Sequence, residues 1–244
     1  MKTKTYITTD THLGHSRMVE FGRPVDFEER ILKELKVIGK KDILVHLGDL
    51  AFGPTSKNVE KFCKAVRKNC VGWNNNAAII LVLGNHDKKK PSWYWDNYNI
   101  LAVDELVVTV GGKRVLLSHR PRLKRKDVDY NIHGHTHGNA HRDKEHAPHY
   151  DERYNLELAL ENTNYKPVVL EDFIRAKTQK NDSRLRSNTA SRFFDEALCP
   201  GSGTVQFFRA LCHHRWVDYA RNLFRPSKKD RQGTSDDDER DMAP

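Results

Sequence analysis

The apolar residues of the first 178 positions fall into short unbroken runs that end in Asp, Asn, Gly or Ser, and amphipathic stretches separate the early runs. Residues 6–9, 43–45 and 78–83 are short, apolar and rich in β-branched side chains, which predicts buried strands. Between the first two, Phe27, Ile31, Leu32, Leu35 and Ile38 recur at helical spacing up to Gly39, and Asp26 with Glu29 three residues on has the form of a capping box. Val59, Phe62, Cys63, Val66 and Cys70 repeat the helical pattern between the second and third runs. The rhythm then changes. Residues 106–110, the Gly111-Gly112 pair and residues 114–117 predict a β-hairpin. Residues 129–133, 155–160 and 167–170 predict further strands, and 171–177 a closing helix. Two stacked sheets flanked by helices accommodate this order.

From Gln179 onward the apolar periodicity gives way to Asn, Ser, Arg and Asp-rich sequence. Residues 1–179 are therefore expected to form the folded domain, and residues 180–244 a basic and acidic tail, largely disordered, with one helix near 207–224. The 42 Lys and Arg against 33 Asp and Glu give a net charge of +9, which favours an anionic partner without choosing among phosphate ester, nucleotide and nucleic acid. Four cysteines are too few for a disulfide scaffold in a chain of 244 residues and suit a reducing compartment. No signal-peptide core opens the chain, and no stretch approaches the roughly 20 apolar residues of a membrane span. A cytoplasmic protein without membrane contact is expected, of undetermined oligomeric state.

Each apolar run delivers polar residues of one kind at its end. Asp10 and His12 follow the first, Gly48-Asp49 the second, Gly84-Asn85-His86-Asp87 the third, Ser118-His119 the hairpin, and Gly134-His135-Thr136-His137 the strand after it. Any single fragment recurs by chance, but the whole series in this order does not. Two divalent ions a few ångströms apart need oxygen and imidazole ligands from several strand ends, with one carboxylate between them to hold both charges together. Carboxylate, amide oxygen and neutral imidazole suit Mn²⁺ foremost, and also Fe, Zn²⁺ or Ni²⁺; no cysteine stands among them, which argues against a structural zinc knot.

This motif set resembles the calcineurin-like metallophosphoesterase superfamily over residues 4–177. It resembles most closely the compact members without a large cap domain, in which Gly48-Asp49-Leu50-Ala51-Phe52 and Asn164-Tyr165-Lys166-Pro167-Val168 have counterparts. The resemblance implies an α/β fold, a four-layer α/β/β/α sandwich of two mixed sheets. It places Asp10, His12 and His137 on a first metal, Asn85, His119 and His135 on a second, and Asp49 on both as the bridge. It also implies hydrolysis of a phosphate ester by a metal-bridging hydroxide aimed at phosphorus in line with the leaving oxygen, while the ions neutralise phosphoryl charge. His86 is left over as a ligand, and its place beside Asn85 suits a catalytic role in proton donation to the leaving group, with Asp87 orienting it. Many members carry another acidic residue where this chain has Leu50-Ala51-Phe52, so any contact made by that carboxylate is missing here.

The leading reading is a dinuclear metal-dependent phosphodiesterase acting on a nucleotide or small organic phosphate. One alternative is a nucleic-acid-processing nuclease, favoured by the net charge and by Lys88-Lys89-Lys90 next to Trp93, Tyr94, Trp95 and Tyr98. That segment reads more readily as a solvated lysine run beside aromatics packed on the sheet. The other alternative is a non-catalytic binding scaffold on the same fold, which has no use for a complete ligand set plus His86. Arg17, Arg23 and Arg120 stand close to motifs as candidate substrate contacts, each also readable as surface arginine. His15, His46 and His133 either support the ligands or pack as ordinary histidines. His141, His146 and His149 are expected in a mobile loop, and Cys199, Cys212, His213 and His214 lack the spacing of a zinc finger.

Overall fold

The computed structural model describes residues 3–53, 55–67, 78–139 and 150–188, with side chains through residue 179. All of them fall in the first of two units into which the chain divides, residues 1–207 and 208–244. Strands β1 (Thr5–Thr8), β2 (Ile43–His46), β3 (Ala78–Val82) and β4 (Ile100–Val103) pair in parallel in the order β4-β3-β2-β1, and β9 (Val168–Val169) adds an antiparallel edge against β1. Pleating sorts their side chains between two faces. Tyr6, Leu44, Ile79 and Leu81 join one core with Phe27 and Ile31 of α1 (Phe27–Glu34), Val59, Phe62 and Val66 of α2 (Thr55–Arg67) and Tyr94 of α3 (Pro91–Tyr98). Ile7, Val45, Ile80 and Val82 point the other way and are also buried.

A sheet buried on both faces needs a second covering layer. A second sheet, β5 (Leu106–Val110), β6 (Lys113–Ser118), β7 (Tyr130–His133) and β8 (Asn155–Glu157), supplies it, and the fold is the α/β sandwich of two mixed sheets flanked by helices. The hairpin β5–β6 is antiparallel and closes through Gly111 and Gly112 at φ of 56° and 77°, the signs a two-residue hairpin turn requires. Strands β6, β7 and β8 run parallel. Helix α4 (Leu170–Asn188) packs on β1 and β9. Among the described residues no helix is long and apolar enough to cross a membrane.

Several local expectations change. Asp26 stands at the N-cap of α1 without making a capping bond; its Oδ1 takes the Arg30 guanidinium at 2.8 Å, so an i,i+4 ion pair replaces the capping box. Strand β8 stops at Glu157, short of residue 160, because its partner β7 ends at His133 and Glu157 turns its carboxylate to Thr136 Oγ1 and the Gly138 amide. Residues Leu160–Thr163 form a 3-10 turn instead. The aromatic run after Lys88-Lys89-Lys90 is α3, opened by Pro91, with Tyr94 fully buried and Trp93 and Tyr98 against the core. Helix α4 continues past residue 177 to Asn188, through the composition shift at residue 179, since a docked first turn propagates without needing an apolar face further on. Cys70, His141, His146, His149, residues 207–224 and the group from Cys199 to His214 lie outside the described residues.

Phe62 is fully buried and meets the His46 ring edge-on at 5.4 Å. Phe62→Ala should cost about 3–5 kcal/mol of stability in urea denaturation at unchanged m-value. A loss under about 1 kcal/mol would mean that this layer collapses freely around a void.

Candidate metal centre

The ends of β1, β2, β3, β6 and β7 gather at one edge of the sandwich, and the sharp turns there have an unusual backbone. Asp10, His12, Asp49, His135 and His137 all adopt left-handed conformations, with φ of 47°, 46°, 56°, 68° and 52°. Each such residue costs on the order of 1–3 kcal/mol and persists only where its surroundings over-determine it. Gly48, at φ 97°, makes the close approach of loops feasible: a Cβ there would lie 2.5 Å from His119 Nδ1 and 2.8 Å from Gly84 Cα.

The two buried aspartates divide their oxygens between two tasks. Asp10 Oδ2 accepts the His135 amide at 2.9 Å and the Thr9 hydroxyl at 2.5 Å, tying the β1 loop to the β7 loop. Its Oδ1 has no hydrogen-bond partner and faces His137 Nε2 at 3.8 Å and His12 Nε2 at 3.9 Å. Asp49 Oδ1 accepts the His86 amide at 2.8 Å, tying the β2 loop to the β3 loop. Its Oδ2 faces His119 Nε2 at 3.5 Å and His12 Nε2 at 3.6 Å, and so stands between two ligand groups, Asp10-His12-His137 and Asp49-His119-His135.

Protonation deepens the shortage of donors. Burial, reinforced by His137 and Arg23, pushes the His12 pKa far below the usual histidine value, so the ring is neutral, and neither of its nitrogens finds a hydrogen-bond partner. His119 Nδ1–H donates to the Leu47 carbonyl at 2.8 Å, which turns Nε2 toward the other candidate ligands. That nitrogen meets Asn85 Oδ1 at 3.0 Å, His135 Nδ1 at 3.1 Å and Asp49 Oδ2 at 3.5 Å. Ligand atoms of two imidazoles, an amide and a carboxylate converge here. Donors spaced about 3 Å apart surround an ion held at about 2.1 Å, so the residues present fit two divalent cations. Burial raises the Asp10 pKa while His119 and His137 pull it down, the conflict a bound cation resolves in favour of the carboxylate.

A surrounding layer holds these groups in place. His46, its pKa lowered to about 3 by burial, accepts the Gly48 amide at Nδ1 and therefore donates from Nε2 to Thr11 Oγ1 at 2.9 Å, so it braces the β2 loop. His133, lowered to about 4 by burial, donates from Nδ1 to the Gly134 carbonyl. Asp87 does not orient His86; its carboxylate accepts the backbone amides of Asp49, Leu50 and Gly84 at 2.8, 3.1 and 2.8 Å and so fastens two loops together. Glu161 carries no motif that marks it in the sequence. Although burial opposes it, the hydrogen bond from His137 and the Arg23 guanidinium hold its carboxyl down at about 2.

The arginines separate. Arg23, its side chain 1% exposed, gives its guanidinium to Glu161 at 2.8 Å and lies 3.3 Å from His137 Nδ1, so it braces a ligand and offers no face to solvent. Arg17 is exposed and pairs with Glu20 at 3.5 Å. Arg120 is half-buried just after His119, where its carbonyl accepts from Ser118 Oγ. His86 is one-third exposed, with Nε2 4.0 Å from Asp49 Oδ2.

Residues 3–139 match the family model described as calcineurin-like phosphoesterase. An uncharacterized protein of Methanocaldococcus jannaschii is 30% identical over 192 residues, covering 70% of this chain and 90% of its own. The Gene 66 protein of Mycobacterium phage L5 is 29% identical over 168 residues, covering 54% and 77%. The crystal structure of AQ665, a protein of unknown function from Aquifex aeolicus, superposes with a TM-score of 0.54 at 25% identity, covering 72% of this chain and all of its own.

Asp49 Oδ2 is within reach of both groups, whereas Asp10 Oδ1 faces only the first. Asp49→Asn should therefore lose tight binding of both ions, and Asp10→Ala chiefly one, with circular dichroism unchanged. Elemental analysis of the purified variants decides, and full metal content in Asp49→Asn would refute the bridging position.

Proposed function

Because the chain belongs to the calcineurin-like phosphoesterase family, we propose that it is a dinuclear metal-dependent hydrolase of phosphate esters, a phosphodiesterase acting on a nucleotide or small organic phosphate. The observation that carries this reading is the gathering of Asp10, His12 and His137 and of Asp49, His119 and His135 into two adjoining sets of ligand atoms, with Asp10 Oδ1 and both His12 nitrogens buried and unpartnered. Asp10, His12 and His137 would hold the first ion, Asn85, His119 and His135 the second, and Asp49 would serve both. The mixed oxygen and imidazole donors favour Mn²⁺ and also admit Fe, Zn²⁺ or Ni²⁺. When bound, two such ions supply an acidified water as nucleophile and neutralise charge on the phosphoryl oxygens.

The chain's own residues do the rest. His119, its Nδ1 held by the Leu47 carbonyl, and neutral His12 are placed to turn ring nitrogens toward the ligand groups. His86, partly exposed beside Asp49 with its backbone amide anchored on Asp49 Oδ1, is placed to donate a proton to the leaving oxygen as the P–O bond breaks. For nucleic acid as substrate the support is thinner: Lys88, Lys89 and Lys90 are exposed, but the aromatics beside them pack into α3 and the core. We place the end of the catalytic unit near Lys180, because Leu170 and Ile174, the apolar positions of α4 buried among the described residues, precede it.

A metal-reconstituted screen of mono- and diesters tests the reading as a whole; no turnover with any of the four metals would sink it. His86→Ala should keep its metal yet turn over roughly 10²- to 10⁴-fold more slowly, with the smallest loss on substrates whose leaving alcohol is most acidic. Equal losses across a leaving-group series would contradict proton donation. Residues 1–180 alone should fold, bind metal and hydrolyse a small diester at nearly the full-length rate. Lost activity with metal still bound would place part of the C-terminal segment at the active site.

A further inference from the structure

Phe52 is a large apolar side chain left 40% exposed at the end of the Gly48-Asp49 loop. Its ring stacks on His15 with centroids 4.2 Å apart and planes 19° from parallel, and meets His86 edge-on at 5.4 Å. His86 in turn lies 5.4 Å from the candidate ligand His12. Phe52 therefore stands no more than two ring-to-ring steps from the first ligand group, with the proposed proton donor between. The platform is braced: the Phe52 amide donates to the Leu13 carbonyl at 2.8 Å, and the buried Asn58 side chain donates to the Phe52 carbonyl at 2.8 Å. An exposed aromatic anchored by its own backbone has little conformational freedom left to lose when something stacks on it.

Resting on the phosphoesterase reading above, we propose that Phe52, stacked on His15, is the base-binding subsite of this centre, and that the substrate is a nucleotide ester whose nucleobase lies on the Phe52 ring while its phosphate sits at the ligand groups. A ring attached directly to the scissile oxygen would reach His86, whereas a base set off by a sugar reaches the next ring outward. Any nucleobase has the π-face that such stacking needs, so the subsite selects bases over aliphatic groups more than it selects one base from another.

The test uses a matched pair on the metal-loaded full chain: the 4-nitrophenyl phosphodiester of thymidine and the same diester of the base-free deoxyribose. The leaving group is common to both, so only the base differs. The wild type should prefer the base-bearing ester about tenfold or more in kcat/KM; Phe52→Ala should bring that ratio near one, and Phe52→Trp should restore it. If Phe52 merely props His86, Phe52→Ala slows both esters equally and the ratio stays, which overturns the proposal. Calorimetry gives an independent readout: adenosine monophosphate should bind more tightly than ribose 5-phosphate, and Phe52→Ala should erase the difference. Equal binding of the two by the wild type overturns the subsite and leaves the hydrolase reading intact. A base preference in binding that depends on Phe52, with no ester hydrolysed, supports the subsite and defeats the hydrolase reading.

Discussion

Two carboxylates and the neutral His12 imidazole are buried together with oxygens and nitrogens left unpartnered, and an unmet buried acceptor costs about 1–3 kcal/mol. Much of the surrounding chain is shaped by that cost. Each aspartate spends one oxygen on the amide of another ligand loop, His135 for Asp10 and His86 for Asp49, so the same side chain both fixes its neighbour and leaves an oxygen pointing inward. Asp87 adds three amide bonds that pin the β2 and β3 loops together. The left-handed turns at five candidate ligands are tolerable because these bonds leave the backbone nowhere else to go.

Charge outside the ligand groups is arranged with similar economy. Arg23 is a buried cation beside His12 and His137, a position that by itself works against a metal. Glu161 cancels it, and since one Glu161 oxygen reaches both Arg23 and His137 Nδ1, the pair also fixes how that imidazole is turned. His46 and His133 are kept neutral by burial and act as rigid hydrogen-bonding spacers.

The ligand types were legible in the sequence because each falls at the end of an apolar run, and strand ends in such a sandwich share an edge. Asp10, Asp49 and His119 are readable in that way. Glu161 is not: it sits in a 3-10 turn with no periodicity, and only the fold brings it to a residue 138 positions away. Asp87 was visible but misread, since adjacency to His86 says nothing about which way a carboxylate points; three amides lie on its other side. Strand β4 and helix α3 escaped notice because Ile100–Val103 is brief and the aromatic run before it resembles a surface. Helix α4 outran its expected end because the polar sequence after residue 179 gives no apolar stripe by which to follow it.

Both candidate groups draw ligands from both sheets. Asp10 and His12 follow β1 and His137 follows β7; Asp49 and Asn85 follow β2 and β3, while His119 and His135 follow β6 and β7. Bound ions would therefore act as rivets through the sandwich, clamping one sheet to the other at a single edge. A chain with its sheets formed but not yet docked has only half-sites, so high-affinity capture must come late in folding, after long-range closure is complete. By the same logic the loaded protein gains resistance to opening along the seam between its sheets, and a chelator would loosen that seam before it disturbed either sheet.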